Sequence, residues 1–187
     1  MSAATGGNAG ADLERELRAR IRDIADFPTP GIVFKDITPV LADADLFARV
    51  IDAMAAPFAR AGVTHVAAIE SRGFILGGPI ARLLRAGFIP IRKRGKLPSD
   101  TVSIEYALEY GSDVLEIHAD ALGNAAGAAR VLVVDDVLAT GGTASAACKL
   151  IERVGGEVSG LTVLIALSFL PGVVALGDRR LAVAVTY

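Results

Sequence analysis

The stretch Val131–Thr143, VLVVDDVLATGGT, carries the densest chemistry in the chain. Four apolar residues, Val131–Val134, run into two adjacent carboxylates, Asp135 and Asp136. A turn of small residues follows, Ala139-Thr140-Gly141-Gly142-Thr143, and then a stretch with helical spacing. A short apolar run of this kind reads as a strand buried on both faces. A small-residue turn between the carboxyl end of such a strand and a helix gathers backbone N–H groups and two hydroxyls around one point, which suits a phosphate. Paired glycines let the backbone approach the anion without an intervening Cβ. Two carboxylates would repel a phosphate, so they fit hydroxyls or a magnesium ion beside it. The ligand implied is a ribose 5-phosphate. No GxxxxGK[ST] occurs and no GxGxxG follows a strand, so the commoner nucleotide loops do not apply.

Three further segments fall near strand ends. Glu70-Ser71-Arg72-Gly73-Phe74 is a turn opening a helix, where a guanidinium adds to backbone donors; an ordinary turn with a solvated arginine fits it equally well. Arg92-Lys93-Arg94-Gly95-Lys96 sets four cations in five positions, where a polyanion such as pyrophosphate could rest, although solvated charge runs are commoner. Tyr106-Ala107-Leu108-Glu109-Tyr110-Gly111 could form a loop that closes after substrate binds and brings in a carboxylate.

These segments need a scaffold that brings them together. Residues 1–10 are small and polar and are expected to be disordered, leaving 11–187 as a single domain. Asp12 can cap a helix whose Leu13, Leu17, Ile21 and Ile24 share one face, broken by the prolines of Phe27–Gly31. A second helix starts near Asp45, buries Leu46, Val50, Ile51 and Met54, and ends or kinks at Pro57. Strands are expected at Val63–Ile69, Phe88–Arg92, Val131–Val134, Leu161–Leu167 and Leu181–Val185, and helices at Ile75–Arg85 and Thr143–Val154. Asp100–His118 reads as a hairpin or long loop. Alternating strands and helices predict an α/β fold, a doubly wound, mostly parallel sheet flanked by helices, with ligands at the carboxyl ends of strands.

The strand, acid pair and Thr-Gly-Gly-Thr turn resemble the phosphoribosyl-diphosphate (PRPP) motif of the type I phosphoribosyltransferases. With Phe27–Asp36 (FPTPGIVFKD), ESRGF, RKRGKLP and LEYG in order, the chain is similar, from about Asp23 to Leu170, to the adenine-using branch of that family. The resemblance implies a small N-terminal hood, a mobile catalytic loop and a homodimer working in purine salvage in the cytoplasm. It implies transfer of the 5-phosphoribosyl group of PRPP to adenine, giving AMP and pyrophosphate. Ala139, Thr140, Gly141, Gly142 and Thr143 would hold the 5-phosphate, and Asp135 and Asp136 the ribose hydroxyls. Arg72, Arg92 and Lys96 would contact pyrophosphate, with Mg2+ bound mainly through PRPP or pyrophosphate and no metal site made of protein side chains alone. Phe34 would stack on adenine while the Val33 and Lys35 backbones hydrogen-bond its edge. Glu109 would be the general acid/base, and Tyr110 would help close the loop. Ala166 stands where the family pattern leads one to expect an acid.

Composition narrows the partners. A net charge of −2 gives no electrostatic case for nucleic acid or an anionic membrane. The uncharged run Val158–Gly177 contains Pro171-Gly172 and reads as a buried strand and turn rather than a bilayer helix. The N-terminus has no apolar core of a signal peptide, and the single Cys148 suits a reducing compartment. His65 and His118 have no ligand partners at metal spacing and read as structural. The rival chemistry is transfer to a 6-oxopurine; a PRPP-sensing regulator would need a DNA-binding module for which the first residues leave no room.

Overall fold

The computed structural model describes residues 6–107, 112–123 and 129–187. The chain divides into two compact units, residues 1–53 and 54–187.

In the first unit, α1 (Gly6–Arg20) leads into an antiparallel pair, β1 (Arg22–Ala25) and β2 (Val33–Asp36), then α2 (Thr38–Leu41) and α3 (Ala44–Ala55), whose last residues enter the second unit. Leu13, Leu17 and Ile21 are buried as their spacing predicts. Ile24 departs from the expected helix face: α1 ends at Arg20, and Ile24 pairs with Phe34 in the β1–β2 ladder. The helix also begins before Asp12, which pairs with Arg15 instead of capping it. Pro39 stands in the first turn of α2, where its missing N–H costs nothing.

The second unit is built on a seven-stranded sheet in the order β5-β6-β4-β3-β7-β8-β9. Its strands are β3 (His65–Ile69), β4 (Gly87–Lys93), β5 (Thr101–Ala107), β6 (Ser112–His118), β7 (Arg130–Leu138), β8 (Glu157–Ala166) and β9 (Leu181–Thr186). The run from β4 to β9 is parallel, while β5 and β6 form an antiparallel hairpin added at the β4 edge. Of the two readings open for Asp100–His118, the hairpin is the one adopted. The helices are α4 (Arg72–Leu84), α5 (Gly142–Arg153) and the single turn α6 (Gly172–Ala175).

This topology fixes where a ligand goes. From β3 the chain crosses through α4 to β4 on one side; from β7 it crosses through α5 to β8 on the other. Right-handed crossovers running in opposite directions place their helices on opposite faces of the sheet. The switch point therefore lies between the carboxyl ends of β3 and β7, where a crevice opens. Val66, Ala67, Ala68, Val131, Leu132, Val133 and Val134 are all essentially inaccessible, as central strands covered on both faces require. Cys148 is buried on α5 with Ala144, Ala147 and Leu150. Among the described residues no helix is long and apolar enough to cross a membrane.

Candidate active site

The phosphate turn is shorter than its sequence suggests. Strand β7 continues through both acids to Leu138, and α5 starts at Gly142, so only Ala139, Thr140 and Gly141 lie between. The extension follows from pairing: Asp135 lies opposite Val163 and Leu138 opposite Ala166 on β8. Gly141 caps α5 with φ +83° and ψ −4°, a left-handed conformation that strains any residue with a Cβ. A Cβ there would also stand 2.7 Å from the Ala175 Cβ and 2.8 Å from the Gly172 carbonyl oxygen. The first N–H groups of α5 lack intrahelical partners and face outward, as an anion site needs. A cavity of about 80 Å³ lies in this turn, bordered by Ala139, Thr140, Gly141, Thr143 and Asp135. Tyr106, near the end of β5, lines the same crevice as Thr143.

The acid pair shares the β3–β7 crevice with Arg72. Arg72 Nε is 2.7 Å from Asp136 Oδ2, an ion pair around a carboxylate whose residue is only 5% exposed. Gly73, next in α4, is needed for this approach: a Cβ would sit 3.0 Å from the Val134 carbonyl oxygen and 3.2 Å from Asp135 Oδ1. Burial, reinforced by the Asp136 charge, holds the Asp135 carboxyl well above the usual carboxylate range. Burial raises Asp136 as well, opposed by the Arg72 guanidinium. Ligand hydroxyls donating to these oxygens would favour the ionised form and reverse the shift. Glu70 and Asp113 line the same crevice as the acid pair, and three of these four carboxylates, Glu70, Asp113 and Asp136, are already ion-paired, so the protein offers few free hard oxygens; a magnesium ion carried mostly by the ligand's own oxygens fits that donor set.

A cavity of about 460 Å³ joins the two strand ends, lined by Ser71, Arg72, Lys93, Asp135, Asp136 and Thr143 among others. A larger hollow of about 650 Å³ lies on the α6 side of the turn, bordered by Ile104, Lys149 and Pro171. It contains neither the acid pair nor any of the expected cations, whereas the smaller crevice holds the acid pair and Arg72. The expected cations are all held by carboxylates. Arg92 Nε donates to Glu70 Oε2 at 2.8 Å, and Lys96 Nζ lies 3.0 Å from Glu70 Oε1. Lys93 Nζ lies 3.0 Å from Asp113 on β6, and both line the crevice, whereas Arg92 and Lys96 meet Glu70 beside it. The Gly95 N–H donates to Glu116, a buried carboxylate of β6, at 2.9 Å.

Val33, Phe34 and Lys35 lie together on β2 of the first unit. Phe34 meets Phe27 edge to face at 5.1 Å between ring centroids, and Lys35 Nζ is 2.6 Å from Asp23 Oδ1. Two residues apart on one strand, Val33 and Lys35 turn their backbone groups to the same edge. Glu109 and Tyr110 lie outside the described residues.

Residues 40–169 match the model of the phosphoribosyl transferase domain. An adenine phosphoribosyltransferase of Myxococcus xanthus is 57% identical over 175 residues, covering 94% of this chain and 94% of the relative. The chain belongs to the adenine phosphoribosyltransferase family. A second family member, from Streptomyces coelicolor, is 58% identical over 156 residues, covering 83% of this chain and 84% of that one. The crystal structure of adenine phosphoribosyltransferase from Rhodothermus marinus superposes with a TM-score of 0.90 at 48% identity, covering 95% of this chain and 99% of that one. The Saccharomyces cerevisiae enzyme, solved with an imino-altritol bisphosphate and adenine, gives 0.85 at 35% identity, with coverage of 93% and 99%. The fold is thus the doubly wound sheet expected of the family.

Sequence reasoning placed Glu70, Lys93 and Tyr106 within the right segments but gave none of them a role, and all three line the crevice. Strand alternation could have separated Arg92 from Lys93, since adjacent residues of a strand point to opposite faces. Glu70 carried no comparable signal, because its partners lie on β4 and in the turn after it and become neighbours only when β4 pairs with β3.

Proposed function

We propose that this chain transfers the 5-phosphoribosyl group of PRPP to adenine, giving AMP and pyrophosphate. One observation carries the reading: the phosphate turn and the acid pair share the switch-point crevice with Arg72 from the neighbouring strand end. Membership of the family supplies the base, and the Saccharomyces cerevisiae relative crystallised with adenine agrees with it.

The residues divide the work by charge. Backbone N–H groups of Ala139–Thr143 and the Thr140 and Thr143 hydroxyls hold the 5-phosphate. Asp135 and Asp136 accept from the ribose hydroxyls, and their fixed negative charge suits the oxocarbenium-like ring formed as the C1–O bond to pyrophosphate breaks. Arg72, Arg92 and Lys96 take up charge growing on the leaving pyrophosphate. Bound Mg2+ neutralises part of that charge through the ligand's oxygens. Adenine N9 attacks as a neutral nitrogen, so no activated Ser or Cys is needed. Phe34 stacks on the base, Val33 and Lys35 read its edge, and Glu109 serves the proton at N7 with Tyr110 closing over it.

The working form is a homodimer in the cytoplasm. Apolar side chains left exposed on α4 and β4, Ile75, Leu83 and Phe88, give a symmetric partner something to cover. Sedimentation at micromolar concentration is expected to give twice the chain mass; a fully active monomer would remove the need for a partner. The activity itself is tested by incubating the protein with adenine, PRPP and Mg2+ and separating products. AMP and pyrophosphate in equal amounts are expected, and no AMP from a folded sample would overturn the reading.

A further inference from the structure

Glu70 is an anion already seated among the cations that are to receive one. It stands at the carboxyl end of β3, with its side chain only 5% exposed, whereas the side chains of Arg92 and Lys96 are 35% and 53% exposed. Each carboxylate oxygen is committed to a different cation, Oε2 to Arg92 and Oε1 to Lys96. Arg92 also donates from Nη1 to the Lys96 carbonyl oxygen at 2.9 Å, closing the turn on itself. The carboxylate therefore lies beneath the turn while the outward faces of both cations remain open to solvent. Burial pushes the Glu70 carboxyl up, but Arg92 and Lys96 outweigh it and leave it below the usual range. It is charged throughout the neutral range.

We propose that Glu70 is a resident counter-anion that sets how tightly pyrophosphate is held at Arg92 and Lys96. The inference rests on the pyrophosphate reading of those two residues. Two cations and one fixed carboxylate present a net single positive charge to an arriving anion. Pyrophosphate binds from the open side and shares the cations with Glu70 rather than displacing it, because the carboxylate is buried and each of its oxygens is already held by one of them. On release the cations keep a partner, so the departing product leaves no unpaired charges behind. Glu70 thereby weakens pyrophosphate binding while keeping Arg92 and Lys96 in place. A positioning group that only shaped the turn would have the opposite signature, since its loss could only weaken binding.

Glu70→Gln keeps the shape and one acceptor but removes the charge. Calorimetric titration of magnesium pyrophosphate into the wild-type protein, E70Q and E70D separates the possibilities, with melting curves confirming that each is folded. Pyrophosphate is expected to bind E70Q about tenfold more tightly, the size expected for one unit charge removed near a partly solvated anion. E70D keeps the charge and is expected within about threefold of wild type. The pyrophosphate inhibition constant should fall by the same factor in E70Q. If E70Q does not fold, Glu70→Ser carries the same charge change and the same expectation. Wild-type binding with unchanged or weaker binding in the charge-removed variant overturns this inference alone. Absence of pyrophosphate binding to a folded wild type overturns the subsite reading and the inference with it.

Discussion

Gly141→Ala puts a methyl group where backbone strain and packing both resist it. A residue with a Cβ in the left-handed conformation at φ +83° costs about 1–2 kcal/mol. The new Cβ, 2.7 Å from the Ala175 Cβ and 2.8 Å from the Gly172 carbonyl oxygen, forces a shift of α6 or of the turn; overpacking of this kind costs about 1–3 kcal/mol. Together these give about 2–5 kcal/mol against a typical total of about 5–15 kcal/mol, so the variant should fold but be weakened. At roughly 2–4 °C per kcal/mol for a chain of this size, the melting temperature should fall by about 4–20 °C. The displaced turn should also lose at least about tenfold in PRPP affinity, since a few tenths of an ångström spoil several N–H donors at once. Adding Ala175→Gly removes the first collision but not the strain or the second, so the double variant should recover only about 1 kcal/mol. Thermal unfolding and calorimetric titration with Mg·PRPP measure both effects. A melting temperature within about 1 °C of wild type, with unchanged affinity, would refute the reasoning.

Three further outcomes follow from the same chemistry. Glu109→Ala should lower turnover by about 10²–10⁴-fold while leaving PRPP affinity nearly unchanged; a loss below about threefold in single-turnover rates would make Glu109 a spectator. Asp135 has its pKa raised in the folded state, so its cost to stability is absent below the unfolded value of about 3.9 and grows as pH rises toward the folded one. Asp135→Asn should therefore raise the melting temperature of the ligand-free protein at pH 7 and flatten its decline above about pH 4, yet weaken PRPP binding about 10–100-fold; a lower melting temperature with an unchanged pH profile would contradict this. Burial pushes the Cys148 thiol up to about 11 and leaves it inaccessible, so a disulfide reagent should find no reactive thiol in the native protein and one per chain after denaturation. Rapid native labelling would show that α5 opens.

Much of this molecule could be read from residue order, and the failures have identifiable causes. Val131–Val134 was legible as a central strand because a strand covered on both faces needs an unbroken apolar run. The continuation of β7 through Asp135 and Asp136 was not, since it depends on pairing with β8, whose partner residues lie far along the chain. Ile24 misled because its spacing from Ile21 and Leu17 satisfies a helix, while its actual pairing with Phe34 is a tertiary choice. The short glycine-rich turn was legible as a strand-to-helix turn through its small residues alone. The counter-ions were not: Glu70 with Arg92 and Lys96, and Asp113 with Lys93, join residues some twenty or more positions apart that only sheet pairing brings together. Runs of like charge in a sequence therefore disclose an anion site less clearly than they suggest, because the partners that tune them come from elsewhere.

The most direct test of the account is the ratio of kcat/KM for adenine and hypoxanthine with saturating PRPP and Mg2+. Adenine offers an amino donor and a ring acceptor where hypoxanthine offers a carbonyl acceptor and a ring donor. An edge made of Val33 and Lys35 backbone groups has one fixed order of donors and acceptors and can satisfy only one of these patterns. The wrong base leaves buried polar groups unpaired, and sites of this sort discriminate by roughly 10⁴–10⁵. The account predicts AMP formation with adenine favoured at least about a thousandfold. Comparable values for the two bases, or a preference for hypoxanthine, would contradict it.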